Sequence, residues 1–226
     1  MIFKSHISET RLTLSFIALS MIPYIFSLNM HGSDDWQSWN DILIKYKISE
    51  KTGLLWSPEI KIRDDISDLF SWRLRQGVFF DSHKNIILGF NYLYKDKKNI
   101  NGDWRDEHRL EAHAIIKWNF GDLNFSDRNK YEYRMRGNKQ NSRYRNSLLI
   151  SKPISLHGVN FTPFIKNEIF YEFDTSKLNQ NRFSFGASYK LGKRTRFELY
   201  YTLKSNRIVQ NWDSTNIIGT KVKLDY

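Results

Sequence analysis

The chain has 226 residues, no cysteine and a formal charge of +11. This excludes a disulfide framework and thiolate metal sites. The mean hydropathy of −0.57 argues against a bundle of apolar spanning helices. It does not argue against a membrane β-barrel, which shows lipid only every second residue.

Lys4 and Arg11 precede an apolar run from Leu12 to Leu28, and polar Gly32 to Asp35 follows. This order predicts a cleaved secretory signal over residues 1–32, with cleavage between about 27 and 32, and a mature domain over residues 33–226. A retained anchor is the alternative. The leader contains Lys4, Arg11 and Glu9, one net positive charge, so the mature part keeps about +10 of the formal charge.

From Trp36 onward one rhythm continues to the end. Alternation predicts strands over Trp39 to Ile48, Leu54 to Arg63, Leu69 to Phe80, Asn85 to Tyr94, Glu107 to Asn119, Asp122 to Arg136, Ser142 to Lys152, Asn160 to Phe173, Asn181 to Leu191, Thr195 to Ser205 and Ser214 to Tyr226. In the strand from Thr195, Phe197, Leu199, Tyr201 and Leu203 share one side, opposite Arg196, Glu198, Thr202 and Lys204. The last strand sets Ile218, Thr220, Val222, Leu224 and Tyr226 against Lys221, Lys223 and Asp225, and ends on an aromatic. A one-residue slip would turn a basic row toward lipid at roughly 2–4 kcal/mol per Arg or Lys near the midplane, so the faces are well specified.

Aromatics gather toward the ends of the apolar faces. Phe80, Trp118, Phe120, Phe125, Tyr189, Phe197 and Tyr226 are expected at one rim, and Phe70, Trp72, Tyr92, Tyr94, Tyr133, Tyr144, Tyr171 and Tyr201 at the other. The fold expected is a single antiparallel transmembrane β-barrel. A soluble β-sandwich or lipocalin-like barrel is the competing architecture. Eleven strands are countable, and the even-number rule for bacterial barrels predicts about twelve, with ten as the alternative; a further strand containing Trp36 would supply the twelfth. Tight turns at Gly121-Asp122 and Gly192-Lys193 contrast with long polar segments from Lys95 to Asp106 and Asn206 to Asp213. The short turns are expected in the periplasm and the long loops outside.

A set of short motifs in a fixed order carries a resemblance: Arg63, Gly89-Phe90-Asn91-Tyr92, Glu107-His108-Arg109, Glu132-Tyr133-Arg134, Arg143-Tyr144-Arg145, Asn167-Glu168-Ile169-Phe170 and Asn181-Arg182. Together they resemble the outer-membrane barrel proteins catalogued as domain of unknown function 2490. The resemblance implies an outer-membrane barrel and brings no established activity.

The inward face holds the chemistry. Alternation places Arg63, Arg73, Arg75, Arg109, Arg134, Arg136, Arg143, Arg145, Arg182 and Arg196 there with Glu111, Glu132, Glu168 and Glu198, and inward cations outnumber anions more than two to one. Basic rings within a low-dielectric wall enrich anions. The expected function is therefore a narrow anion-preferring pore for small acidic solutes, with Arg134, Arg136, Arg143 and Arg145 suited to bidentate recognition. The alternative is a closed structural or adhesive barrel whose lumen is knitted by pairs such as Glu168 with Arg182.

A lipid-modifying enzyme is the third reading. His108 and His113 are five apart and face opposite sides, and the sequence has no G-x-S-x-G and no H-E-x-x-H, so no catalytic, metal or cofactor residue is assigned. Expected partners are outer-membrane lipid and lipopolysaccharide, the barrel-assembly machinery through the strand ending in Tyr226, and small anionic solutes. Basic residues spread over every strand instead of forming one patch, which argues against nucleic acid.

Overall fold

In the computed structural model, residues 31–208 and 211–226 are described. All but the last two residues of the expected leader lie outside them. The strands are β1 (His31–Lys47), β2 (Thr52–Arg63), β3 (Asp68–His83), β4 (Ile86–Lys98), β5 (Trp104–Phe120), β6 (Leu123–Arg136), β7 (Lys139–Ser151), β8 (Ile154–Leu156), β9 (Val159–Glu172), β10 (Lys177–Lys190), β11 (Thr195–Ile208) and β12 (Asn211–Asp225). They form one twelve-stranded sheet. Eleven are staves of a closed barrel. The twelfth, β8, pairs only with the start of β9 and stands outside the wall, on a hairpin turned by His157 and Gly158 at φ 50° and 79°. A two-residue turn with both residues left-handed matches strand twist, and glycine at the second position carries the larger angle without penalty.

Neighbouring staves are antiparallel throughout, with one exception. β1 and β12 close the barrel in parallel, from Trp36 opposite Asn216 to Lys45 opposite Asp225. An odd number of alternating staves leaves the first and last strands running the same way, so closure has to be parallel. Trp36 belongs to β1 itself and not to a separate strand. Beyond the ladder, Lys47 donates to the Tyr226 carbonyl, and Tyr226 to the Lys45 carbonyl, each at 2.8 Å. These bonds fasten the last residue to the rim. We call this the C-terminal rim and the opposite one the far rim.

The segments expected as long loops are largely strand. β4 and β5 pair as far as Lys98 with Trp104, and β11 and β12 as far as Ile208 with Asn211. Backbone pairing needs no apolar side chain, so the hairpins continue past the point where hydrophobic alternation ends. The β11–β12 end runs past its neighbours β10 and β1, whereas β4 stays paired with β3 as far as Lys97 opposite Ser71. At the outer end of β4 Asp68 receives Lys98, and Arg63 Nε at 3.1 Å. The Lys98 hydrogen bond, with that of Arg63 and their charges, holds the half-buried Asp68 carboxyl below its ordinary range.

Facing follows the expected alternation. Leu54, Val78, Leu88, Phe90, Leu110, Ile116, Ile165, Phe185, Leu199 and Ile218 stay exposed on the outer wall. Ring pairs mark its two edges: Trp118 on Phe125 at 5.2 Å toward the C-terminal rim, and Trp72 with Tyr94 at 5.3 Å and Tyr171 with Phe173 at 5.4 Å toward the far rim. Phe70 departs from the expectation. A register irregularity after Lys61 turns it inward, where it lies under Arg63 and Lys97 at 5.4 and 5.7 Å. A bulge inserts one residue, and one residue is enough to change face.

The outer wall is not wholly apolar. Asp127 is opposite Ile116, and its carboxylate accepts from Asn129 at 3.0 Å and Asn146 at 2.6 Å. Tyr144 donates to Asn129, and Asn181 on β10 donates to Asn167 on the neighbouring β9 at 3.0 Å. These polar groups satisfy one another in the plane of the wall, which is the condition for placing them where water does not reach.

Candidate functional site: the lumen and its waist

The sequence places small residues where large ones cross the lumen. A Cβ at Gly219 would lie 2.1 Å from the Tyr200 ring, and one at Gly89 would lie 2.2 Å from the His113 ring. Each glycine therefore gives the ring of the adjacent strand a floor to lie on.

At mid-height the lumen is filled. Leu93, Phe170, Ile217, Glu111 and Glu132 are all fully buried. The Arg182 guanidinium lies between two rings, 4.7 Å from Trp39 and 4.6 Å from Phe170, and Arg145 covers Phe170 at 4.5 Å. Lys61 sits over Trp39 at 3.1 Å, and Trp39 Nε1 donates to Gln37 at 3.1 Å. We call this layer the waist.

One wall of the lumen carries a linked ion-pair network, with a separate cluster at Glu111. Glu132 on β6 receives Arg143 Nη2 at 2.5 Å and Arg145 Nη1 at 2.6 Å, with Arg109 at 3.6 Å. Arg145 reaches on to Glu168 at 2.7 Å, and Glu168 also holds Arg128 at 2.7 Å and Arg182 at 3.7 Å. Glu107 binds Arg109 at 2.7 Å and Arg134 at 2.5 Å, while Arg134 and Arg143 share Glu172 at 2.9 and 3.6 Å. Glu111 takes Arg75 at 2.9 Å and Lys130 at 2.8 Å. The register makes this possible, since β6 and β7 set Glu132 directly opposite Arg143. On the other wall Arg73 pairs with Glu59 at 2.7 Å, Lys221 with Asp41 at 2.5 Å, and Lys223 with Glu198.

Most of the residues singled out in the sequence therefore meet in the lumen. Arg63, Arg136 and Arg196 do not join them. Arg63 serves the far-rim clamp, Arg136 donates to Asn141 at 3.1 Å in an exposed position, and Arg196 pairs with Asp225 at 2.5 Å on the C-terminal rim. Trp39, Phe170 and Glu107 were absent from the sequence selection. Phe170 and Trp39 have inward parity, which was the available signal, but an apolar residue on a basic face carries no chemical flag.

Among the described residues two cavities open in the lumen, one on each side of the waist. The one toward the C-terminal rim has about 240 Å³ and is lined by Arg75, Arg128, Lys166, Lys221 and Lys223 together with Asp41, Glu168 and Glu198. The one toward the far rim has about 330 Å³. Its lining includes Lys61, Arg73, Lys95, Lys97, Arg109, Arg134, Arg143, Arg145, Arg182 and Lys204, with Glu59 as its one carboxylate among the described residues.

His108 and His113 do not line these cavities. His108 Nδ1 shares a hydrogen bond with Tyr92 Oη at 2.5 Å and its Nε2 lies 3.3 Å from Asp106; His113 faces Asn91 at 3.4 Å. Among the described residues neither is bonded to a serine.

The family model described as Protein of unknown function (DUF2490) matches residues 36–215. No curated protein matches the chain. Among solved structures it is similar to the β domain of the Bordetella autotransporter BrkA, at 12% identity over 72% of this chain and 80% of that one, with a TM-score of 0.43. It is also similar to the siderophore receptor PirA from Pseudomonas aeruginosa, at 11% identity over 74% of this chain and 34% of the receptor, with a TM-score of 0.29. A match over residues 36–215, most of the barrel, shows that this chain belongs to the family described as Protein of unknown function (DUF2490).

Proposed function

We propose that the chain sits in the outer membrane of a Gram-negative-type cell and prefers small anions in its lumen, with the waist as the constriction that governs passage. The observation that carries this is the composition of the far-side cavity, where ten cationic side chains face one carboxylate. In a low-dielectric wall such a surplus concentrates anions and repels cations. The apolar outer wall and its edge aromatics support the membrane setting.

A second reading has its own support. Glu132 is fully buried among three arginines, and the waist is packed with rings. These favour a closed barrel whose lumen is structural. Conductance of the refolded chain in a planar bilayer under a salt gradient separates the two. The pore reading expects channels with an anion-biased reversal potential, and larger conductance when Phe170→Ala opens the waist. Folded wild type and Phe170→Ala that are both electrically silent would exclude passage and leave the closed barrel.

A further inference from the structure

We infer that the far-side cavity is a binding site for a small soluble polyanion, one carrying two or more phosphate or carboxylate groups. This rests on the anion preference proposed above and adds a ligand class and a place.

The argument starts from which cations are already committed. Arg109, Arg134, Arg143 and Arg145 line the cavity, but their carboxylates stand behind them in the wall. They form a fixed positive floor. Lys95, Lys97 and Lys204 differ: among the described residues none has a carboxylate within ion-pair distance. Lys95 lies opposite Glu107 on β5, yet Glu107 is held by Arg109 and Arg134. Lys204 lies opposite Thr215 and Arg182, neither of which carries negative charge.

Three lysine side chains thus converge on one cavity from β4 and β11, on opposite sides of the lumen, and none of them is in an ion pair among the described residues; Glu107 for Lys95 and Lys97, and Asp35 and Asp213 for Lys204, act on them only from beyond ion-pair distance. Holding like charges together in a confined space is unfavourable, and one ligand bearing several negative charges relieves it better than separate monovalent ions, which lose more freedom on binding. Gln180 and Asn206 line the same space and supply neutral donors. A volume of about 330 Å³ admits a compact solute, since a water occupies roughly 30 Å³. Waist packing beneath stops it from passing straight through.

The test is isothermal titration of the full mature chain, refolded in detergent at physiological salt, with pyrophosphate and with citrate. One saturable site for either probe is expected, and the probe that binds more tightly names the anionic group. In the triple variant K95Q/K97Q/K204Q affinity should fall at least tenfold. K84Q, in a turn at the C-terminal rim, should leave it unchanged. Absence of binding to both probes overturns the inference, as does undiminished binding by a triple variant that retains its barrel circular dichroism. Binding displaced by dispersed lipid A, and insensitive to the triple substitution, would move the site to the outer rim and likewise overturn it. Binding with an electrically silent barrel would sustain the site and sink the passage reading; anion-biased conductance without binding would do the reverse.

Discussion

Lys221 on the last strand donates to Asp41 on the first at 2.5 Å, inside the barrel, across the seam where β12 and β1 run side by side in the same direction. On the outer side of the same seam Thr220 donates to Asn40 at 2.7 Å. The two contacts grip the junction from both faces. With no native cysteine to interfere, the seam can be read chemically. Asn40→Cys with Thr220→Cys should form a disulfide on mild oxidation, because facing Cα partners in a sheet fall within the span a disulfide bridges. Non-reducing electrophoresis would show a shifted band. Failure to cross-link, with ready cross-linking of a control pair across β11 and β12, would mean that the barrel closes in some other way.

Glu132 is the hub of the lumenal network. Glu132→Gln keeps the shape of the side chain and leaves Arg143, Arg145 and Arg109 short of one negative charge in a buried setting. Removing one partner of a buried ionic cluster costs about 3–5 kcal/mol. The urea midpoint of the refolded barrel should fall accordingly. Asp122→Asn, which loosens only an exposed pair with Lys152, should leave it in place.

Gly219 and Tyr200 form a second pair with opposite requirements. Gly219→Val drives two methyl groups into the space of the Tyr200 ring and should destabilise by about 1–3 kcal/mol. Removing the ring in Tyr200→Ala should make the valine tolerable. A double-mutant cycle on unfolding free energy would then give a clear coupling, whereas additive effects would show that ring and backbone are not in contact.

The outer wall tests the membrane setting. Leu110 is exposed between the two aromatic edges. Leu110→Arg should cost roughly 2–4 kcal/mol if that surface faces hydrocarbon. Refolding into lipid vesicles is the measurement, with Ile100→Arg in the β4–β5 loop as the neutral comparison. Equal refolding of both variants would mean that Leu110 faces water.

Strand positions, faces and the basic inner surface were legible from residue order, because period-two alternation is a local property of extended chain and each strand states its own two sides. Glu132 opposite Arg143 was not fixed by alternation, because the strand ends expected at Arg136 and Ser142 left the register open, whereas β6 and β7 in fact run on to a two-residue turn. The Phe70 bulge and the pairing of polar hairpins beyond the apolar band were not legible either, since neither changes the local pattern that alternation reports.

What only the tertiary structure decided is how the wall closes and what then meets inside it. The parallel seam joins residues about 180 positions apart in sequence, and its geometry depends on how many staves precede it. That closure brings Trp39 of the first strand against Arg182 of the tenth, which also lies on Phe170 of the ninth. The waist, and the division of the lumen into two cavities, follow from that meeting. Alternation says that a side chain points inward; only the curvature of the closed sheet determines which other inward side chains it touches.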